Sequence, residues 1–179
     1  VISLYGRAAA AASPEPTLLD NFAEFLLDVS PESLRDPNRA YELAQRAVSA
    51  TGRSQHLPLK TLSRAMAALG VYDGAIASAK EALALPEAIR SWTTEQWLVD
   101  LLREHGTAAE LESFLLTQLE RHRLQRGEDE PLMAKTLRHL AQLHRRLGQL
   151  GPAEQRYRES LAQLRKSRDE TYWEVARAK

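Results

Sequence analysis

A pattern of large and small apolar residues recurs along this chain with nearly constant spacing, and it constrains the fold more than any other feature. One copy runs Leu137, Leu140, Ala141, His144, Leu147-Gly148, then Ala153, Tyr157 and Ser160. An earlier copy runs Leu59, Leu62, Ser63, Met66, Leu69-Gly70, Tyr72, Ala75, Ala79 and Ala82. Each reads as two amphipathic helices hinged at a glycine, with small residues where the helices approach closely. Gly70, Gly106 and Gly148 lie 36 and 42 residues apart, and Ala40 and Ala75 lie 35 apart. Self-similarity at a period of about 20–50 residues predicts a stack of helix pairs, in which about three or more pairs are needed to cover one another's apolar faces. This chain offers three and a half to four and a half.

Helix boundaries follow from local chemistry. Asp36-Pro37 places an N-cap acceptor before a proline whose missing N–H costs nothing at the first helical position. Thr93 and Gln96 have capping-box spacing. Glu128-Asp129-Glu130-Pro131 sets three carboxylates at the positive end of the next helix dipole. Gly52, Gly70, Gly106, Gly127 and Gly148 are expected to close helices in the left-handed region. The predicted helices are 17–28, 37–50, 57–69, 73–84, 93–105, 107–125, 131–147, 151–166 and 169–179, and no stretch alternates long enough to argue for a strand.

These residues resemble the tetratricopeptide repeat family. The match is close in 57–84 and 132–164, and fair in 17–50 through Leu19, Phe22, Ala23, Leu26, Ala40, Ala44 and Ala47. Residues 92–125 keep only Leu98, Leu102, Gly106 and Leu111, a degenerate copy, and 169–179 open a truncated helix. The 42-residue step is similar to the elongated repeats of the kinesin light chain type. The resemblance implies an all-α, right-handed superhelical solenoid of antiparallel helix pairs over 17–179. Residues 1–16, with the Ala8–Ala12 run and Ser13-Pro14-Glu15-Pro16, read as the end of a preceding helix or a linker. It also implies a non-catalytic scaffold that holds a peptide or a neighbouring domain. The alternative is an architectural or self-assembling segment of a larger bacterial protein. The stretch from Ser30 to Pro37 ahead of an alanine-rich helix is similar to arrays that follow serine/threonine kinase domains, although no kinase motif occurs in these residues.

Charge and composition bear on the partner. The formal net charge is zero, so the whole molecule has no electrostatic call on nucleic acid or acidic lipid. The two parts differ: residues 1–118 hold 10 basic and 15 acidic side chains, and residues 119–179 hold 14 and 9. Cysteine is absent, which excludes disulfides, thiol catalysis and cysteine metal sites. No apolar run approaches the roughly 20 residues that span a bilayer. The expected partner is a protein or peptide, acidic ones included, with no nucleic acid, no membrane segment, no cofactor and a cytoplasmic location.

Catalysis needs converging acid, base, nucleophile or metal ligands. His56, His105, His122, His139 and His144 form no i, i+4 pair, and no phosphate loop or nucleophile elbow occurs, so no enzyme is expected. His144 falls inside an apolar arc and reads as a satisfied core histidine, whereas His105 and His122 read as polar positions near helix ends. Tyr72 and Tyr157 are expected in the packing, and the sequence assigns no face to Trp92 or Trp97. The candidate binding face is on helix 131–147, where Lys135, Arg138, His139, Gln142, Arg145 and Arg146 fall within about 120° opposite the apolar arc. The equivalent face of the earlier copy offers Lys60, Arg64 and Ala68. In the resembled family the first helix of each pair lines the groove, and arginines there suit an acidic peptide or a terminal carboxylate. The asparagines with which the family's chaperone-binding subset clamps a terminal carboxylate are missing, since only Asn21 and Asn38 exist.

Overall fold

The computed structural model describes Gly6 and residues 14–86, 91–126 and 131–177, with the backbone alone at 125–126 and 167–177. The readings placed on Ala8–Ala12, Gly127 and Glu128-Asp129-Glu130 lie outside the described residues. Among those described, all regular structure is helical: α1 (Pro16–Asp28), a short 3-10 turn (Glu32–Leu34), α2 (Pro37–Ala50), α3 (His56–Ala68), α4 (Tyr72–Ala84), α5 (Trp92–His105), α6 (Ala108–Arg126), α7 (Pro131–Arg146) and α8 (Leu150–Arg177). The chain divides into two compact units, Val1–His105 and Gly106–Lys179, where the repeat pattern predicts one array.

The turns form as their residues dictate. The Asp36 carboxylate accepts from the Arg39 backbone N–H at 3.0 Å and Pro37 opens α2. Gly70 and Gly148 adopt φ of 77° and 73°, a region closed to most side chains, and so reverse the chain within a few residues. Thr93 and Gln96 do not form the expected box. The helix begins at Trp92, and the Gln96 amide donates to Asp100 instead. A reciprocal box forms one helix later, where Thr107 N donates to Glu110 and Glu110 N donates to the Thr107 hydroxyl.

In the first unit α1 and α2, then α3 and α4, pack as consecutive pairs, α3 also packs on α1, and α5 packs on α4. Leu19, Phe22, Leu26, Leu43, Leu59 and Leu62 form its core, with Ala23, Ala40, Ala44 and Ala47 at the close approaches. In the second unit α7 lies against both α6 and α8. Small residues do more than make room. Ser63 donates to the Ala75 carbonyl at 2.7 Å, Ser78 to the Leu59 carbonyl at 3.0 Å and Ser160 to the Ala134 carbonyl at 2.7 Å. Each hydroxyl uses the spare lone pair of a facing helix carbonyl.

Two expectations are corrected here. The helices predicted at 151–166 and 169–179 are one continuous helix over Leu150–Arg177, since Lys166-Ser167-Arg168-Asp169 contains no glycine or proline to break it. Leu147 is 46% exposed although it falls in the apolar arc. It follows the last residue of α7, where the turn carries it off the packed face.

Candidate functional site

The first helices of the pairs, α1, α3 and α5, line one side of the first unit, and a cleft of about 550 Å³ opens among them. Its walls include Asp28, Arg64, Tyr72, Trp97, Asp100 and Glu104. Lys60 and Arg64, the expected continuation of a basic groove, are already paired. Lys60 Nζ lies 3.3 Å from Glu24, while the Arg64 guanidinium reaches Glu24 at 3.2 Å and Asp28 at 2.6 Å. Both partners project from α1, 36 residues earlier, which is one repeat. The basic character expected of these two residues is cancelled by the stacked helix. Oppositely charged residues one repeat apart were a usable signal in the sequence, because stacking brings such residues face to face.

Asp20 lies deeper between α1 and α3, 6% exposed, with Oδ1 lacking a hydrogen-bond partner. Burial pushes its carboxyl above the usual aspartate value, a hydrogen bond from Thr61 opposes that shift, and Glu24 adds to it. Around the cleft, Trp97 is half-buried and its indole N–H donates to Ser63 at 2.9 Å, so it belongs to the α3–α5 packing. Tyr72 departs from expectation. It is 37% exposed and stacks on His105 with ring centroids 3.4 Å apart. Its position at the first residue of α4 puts it at the edge of the pair.

On α7 the structure divides the six candidate residues. Arg138, Arg145 and Arg146 are exposed and make no ion pair among the described residues, and Lys135 and Gln142 are half-buried beside them. His139 is only 8% exposed. A helix packed against two neighbours buries a wider arc than one apolar stripe. Thr136 and Leu143, at 1% and 5%, extend the buried side around to His139. His144 behaves as a satisfied core histidine, with Nδ1 2.7 Å from Gln149 Oε1 and Nε2 3.8 Å from Glu112. His122, expected at a polar position near a helix end, is 2% exposed.

No group of three or more His, Asp or Glu is arranged to hold a metal among the described residues, and no helix of these residues is long and apolar enough to cross a membrane.

Residues 91–166 match the family model described as tetratricopeptide repeat. No curated protein matches the chain. Among solved structures, MamA is 15% identical and aligns over 94% of this chain and 89% of its own, with a TM-score of 0.67. BtubC from P. vanneervenii is 18% identical over 90% of this chain and 69% of its own, with a TM-score of 0.57. The thermophilic TPR protein TTC0263 of Thermus thermophilus is 22% identical over 98% of this chain and 87% of its own, at 0.54. At these identities the likeness is one of fold. Residues 91–166 thus belong to the tetratricopeptide repeat family by sequence, and the chain around them has the fold of that family's helix-pair arrays.

Proposed function

We propose that this chain is a docking scaffold whose second unit receives an acidic peptide or acidic protein segment on the exposed face of α7. The observation that carries this reading is the set of exposed arginines Arg138, Arg145 and Arg146, which have no ion-pair partner among the described residues. Arg138 and Arg145 are seven residues apart, about 10 Å along the helix, a spacing that suits carboxylates on an extended peptide. Arginine recognises carboxylate by paired, charge-assisted hydrogen bonds, so the face favours Asp or Glu side chains or a terminal carboxylate. Lys60 and Arg64 drop out of the binding set, since Glu24 and Asp28 already occupy them. Lys135 and Gln142 flank the arginines and can add donors, whereas the burial of His139 removes it from direct contact.

The test is fluorescence anisotropy with a labelled Asp/Glu-rich peptide, comparing wild type with the Arg138→Glu, Arg145→Glu double variant. Wild type should bind with an affinity that falls as salt rises, because exposed charges are screened over about 8 Å at physiological ionic strength. The double variant should lose binding and keep its helical circular dichroism and melting temperature. Equal binding by the two proteins rejects α7 as the docking face.

A further inference from the structure

We infer that the acidic partner of the α7 face, resting on the docking reading above, is a second copy of this chain. That copy presents Asp73 and Glu104 from the edge where α4 begins and α5 ends. The chain is neutral as a whole, but its charge is segregated: residues 1–105 hold 13 acidic and 10 basic side chains, and residues 106–179 hold 11 and 14. Pairing inside each unit sharpens the contrast. In the first unit Arg35, Arg53, Lys60, Arg64 and Arg103 are all engaged by carboxylates of that unit. Glu15, Glu42, Asp73 and Glu104 stay exposed without a Lys or Arg partner among the described residues, against two unpaired cations, Arg39 and Lys80. In the second unit Glu112, Glu120, Glu154 and Glu159 each face a histidine or an arginine. There Arg138, Arg145, Arg146 and Arg165 are left exposed without an ion pair.

Of the four exposed carboxylates, the structure gathers Asp73 and Glu104. The Tyr72 and His105 rings stack with centroids 3.4 Å apart, and the two acidic residues are their chain neighbours. The Glu104 side chain is 72% exposed, and its one basic neighbour is His105 Nε2 at 3.8 Å. Val71 and Tyr72, 52% and 37% exposed, add apolar surface beside the carboxylates. Lys80 lies seven residues beyond Asp73 on α4, about 10 Å and so farther than the screening length of about 8 Å. Glu42, by contrast, stands one helical turn from Arg46. Arg138 and Arg145 can each hold one carboxylate by paired hydrogen bonds while their alkyl stems cover Val71 and Tyr72. The two surfaces in contact are different patches, so copies join head to tail and each retains one patch of either sign. A few ion pairs between exposed side chains make the association weak and salt-sensitive.

The experiment is sedimentation equilibrium on the full chain over a concentration series. At low salt the average mass should rise above the 20.1 kDa of one chain, and in about 0.5 M NaCl it should return to that value. The Asp73→Asn, Glu104→Gln variant and the Arg138→Gln, Arg145→Gln variant should each stay at the mass of one chain with unchanged circular dichroism. Mixed one to one, they should form a complex of twice that mass and no larger, because only one complementary pair of patches remains. Glu104→Gln alone, at a side chain this exposed, should weaken association without touching the fold. The carboxylate variant should still bind the acidic peptide in the anisotropy assay. A wild type that binds the peptide yet keeps the mass of one chain at every concentration overturns the self-association and leaves the docking reading standing. Loss of both overturns the two together. Association indifferent to either pair of substitutions, or a mixture that forms no complex, overturns the head-to-tail pairing.

Discussion

Leu140 is fully buried at 0% exposure, midway along α7, which is held between α6 and α8. Leu140→Ala removes three carbon groups from that position, a transfer loss of about 2.4 kcal/mol at roughly 0.8 per buried CH₂. A cavity term adds to it, and its size depends on whether the neighbours can close in. Packing on two sides of α7 resists that closure, so the total should reach about 3–5 kcal/mol. With a urea dependence of about 2 kcal/mol per molar, the midpoint should fall by about 1.5–2.5 M. The chain has two compact units, so the loss is best read by hydrogen exchange on amides of α7 and α8, with those of α1 to α4 as internal reference. Arg145→Ala, exposed on the opposite face of the same helix, should change stability by less than about 0.5 kcal/mol. Equal loss of protection in the two variants would refute the helical phase on which both the core and the arginine face rest.

Three further outcomes are expected. Asp20 has a carboxyl pKa raised in the folded state, so the folded protein holds that proton more tightly than the unfolded chain. Its contribution is present below the unfolded value and is lost as pH rises through the folded one. Asp20→Asn should therefore raise the melting temperature at pH 7, with the advantage over wild type shrinking as the pH is lowered toward 4. Gly148→Ala and Gly151→Ala should act with opposite signs in thermal melts. A methyl at either position meets nothing within 4 Å, but Gly148 has φ of 73° and should lose about 1–2 kcal/mol, whereas Gly151 lies within α8 and should gain about 0.5–1. Ser63→Ala should cost about 1–3 kcal/mol in denaturant titration by leaving the Trp97 N–H without its partner and the second lone pair of the Ala75 carbonyl unused, with a change in tryptophan fluorescence.

Helix positions and turns were legible in the sequence because they depend on short-range chemistry. Asp36-Pro37, Gly70 and Gly148 act within their own turn, and the stripe Leu137, Leu140, Ala141 needs only the helical period to show which side is buried. The same locality explains the recognition of helix pairs from spacing alone. What one helix sees of a third is a different matter. Lys60 and Arg64 look like free cations until α1 is laid beside α3 and brings Glu24 and Asp28 to them. His139 looks like part of a polar face until α7 is packed on two sides rather than one. The reverse holds for Leu161 and Leu164, which are apolar and yet 55% and 48% exposed. Periodicity and turn residues, being properties of a few consecutive amino acids, determined the helix pairs. The free charges and open apolar faces depend on which side chains from distant segments meet, and only the tertiary structure decided those.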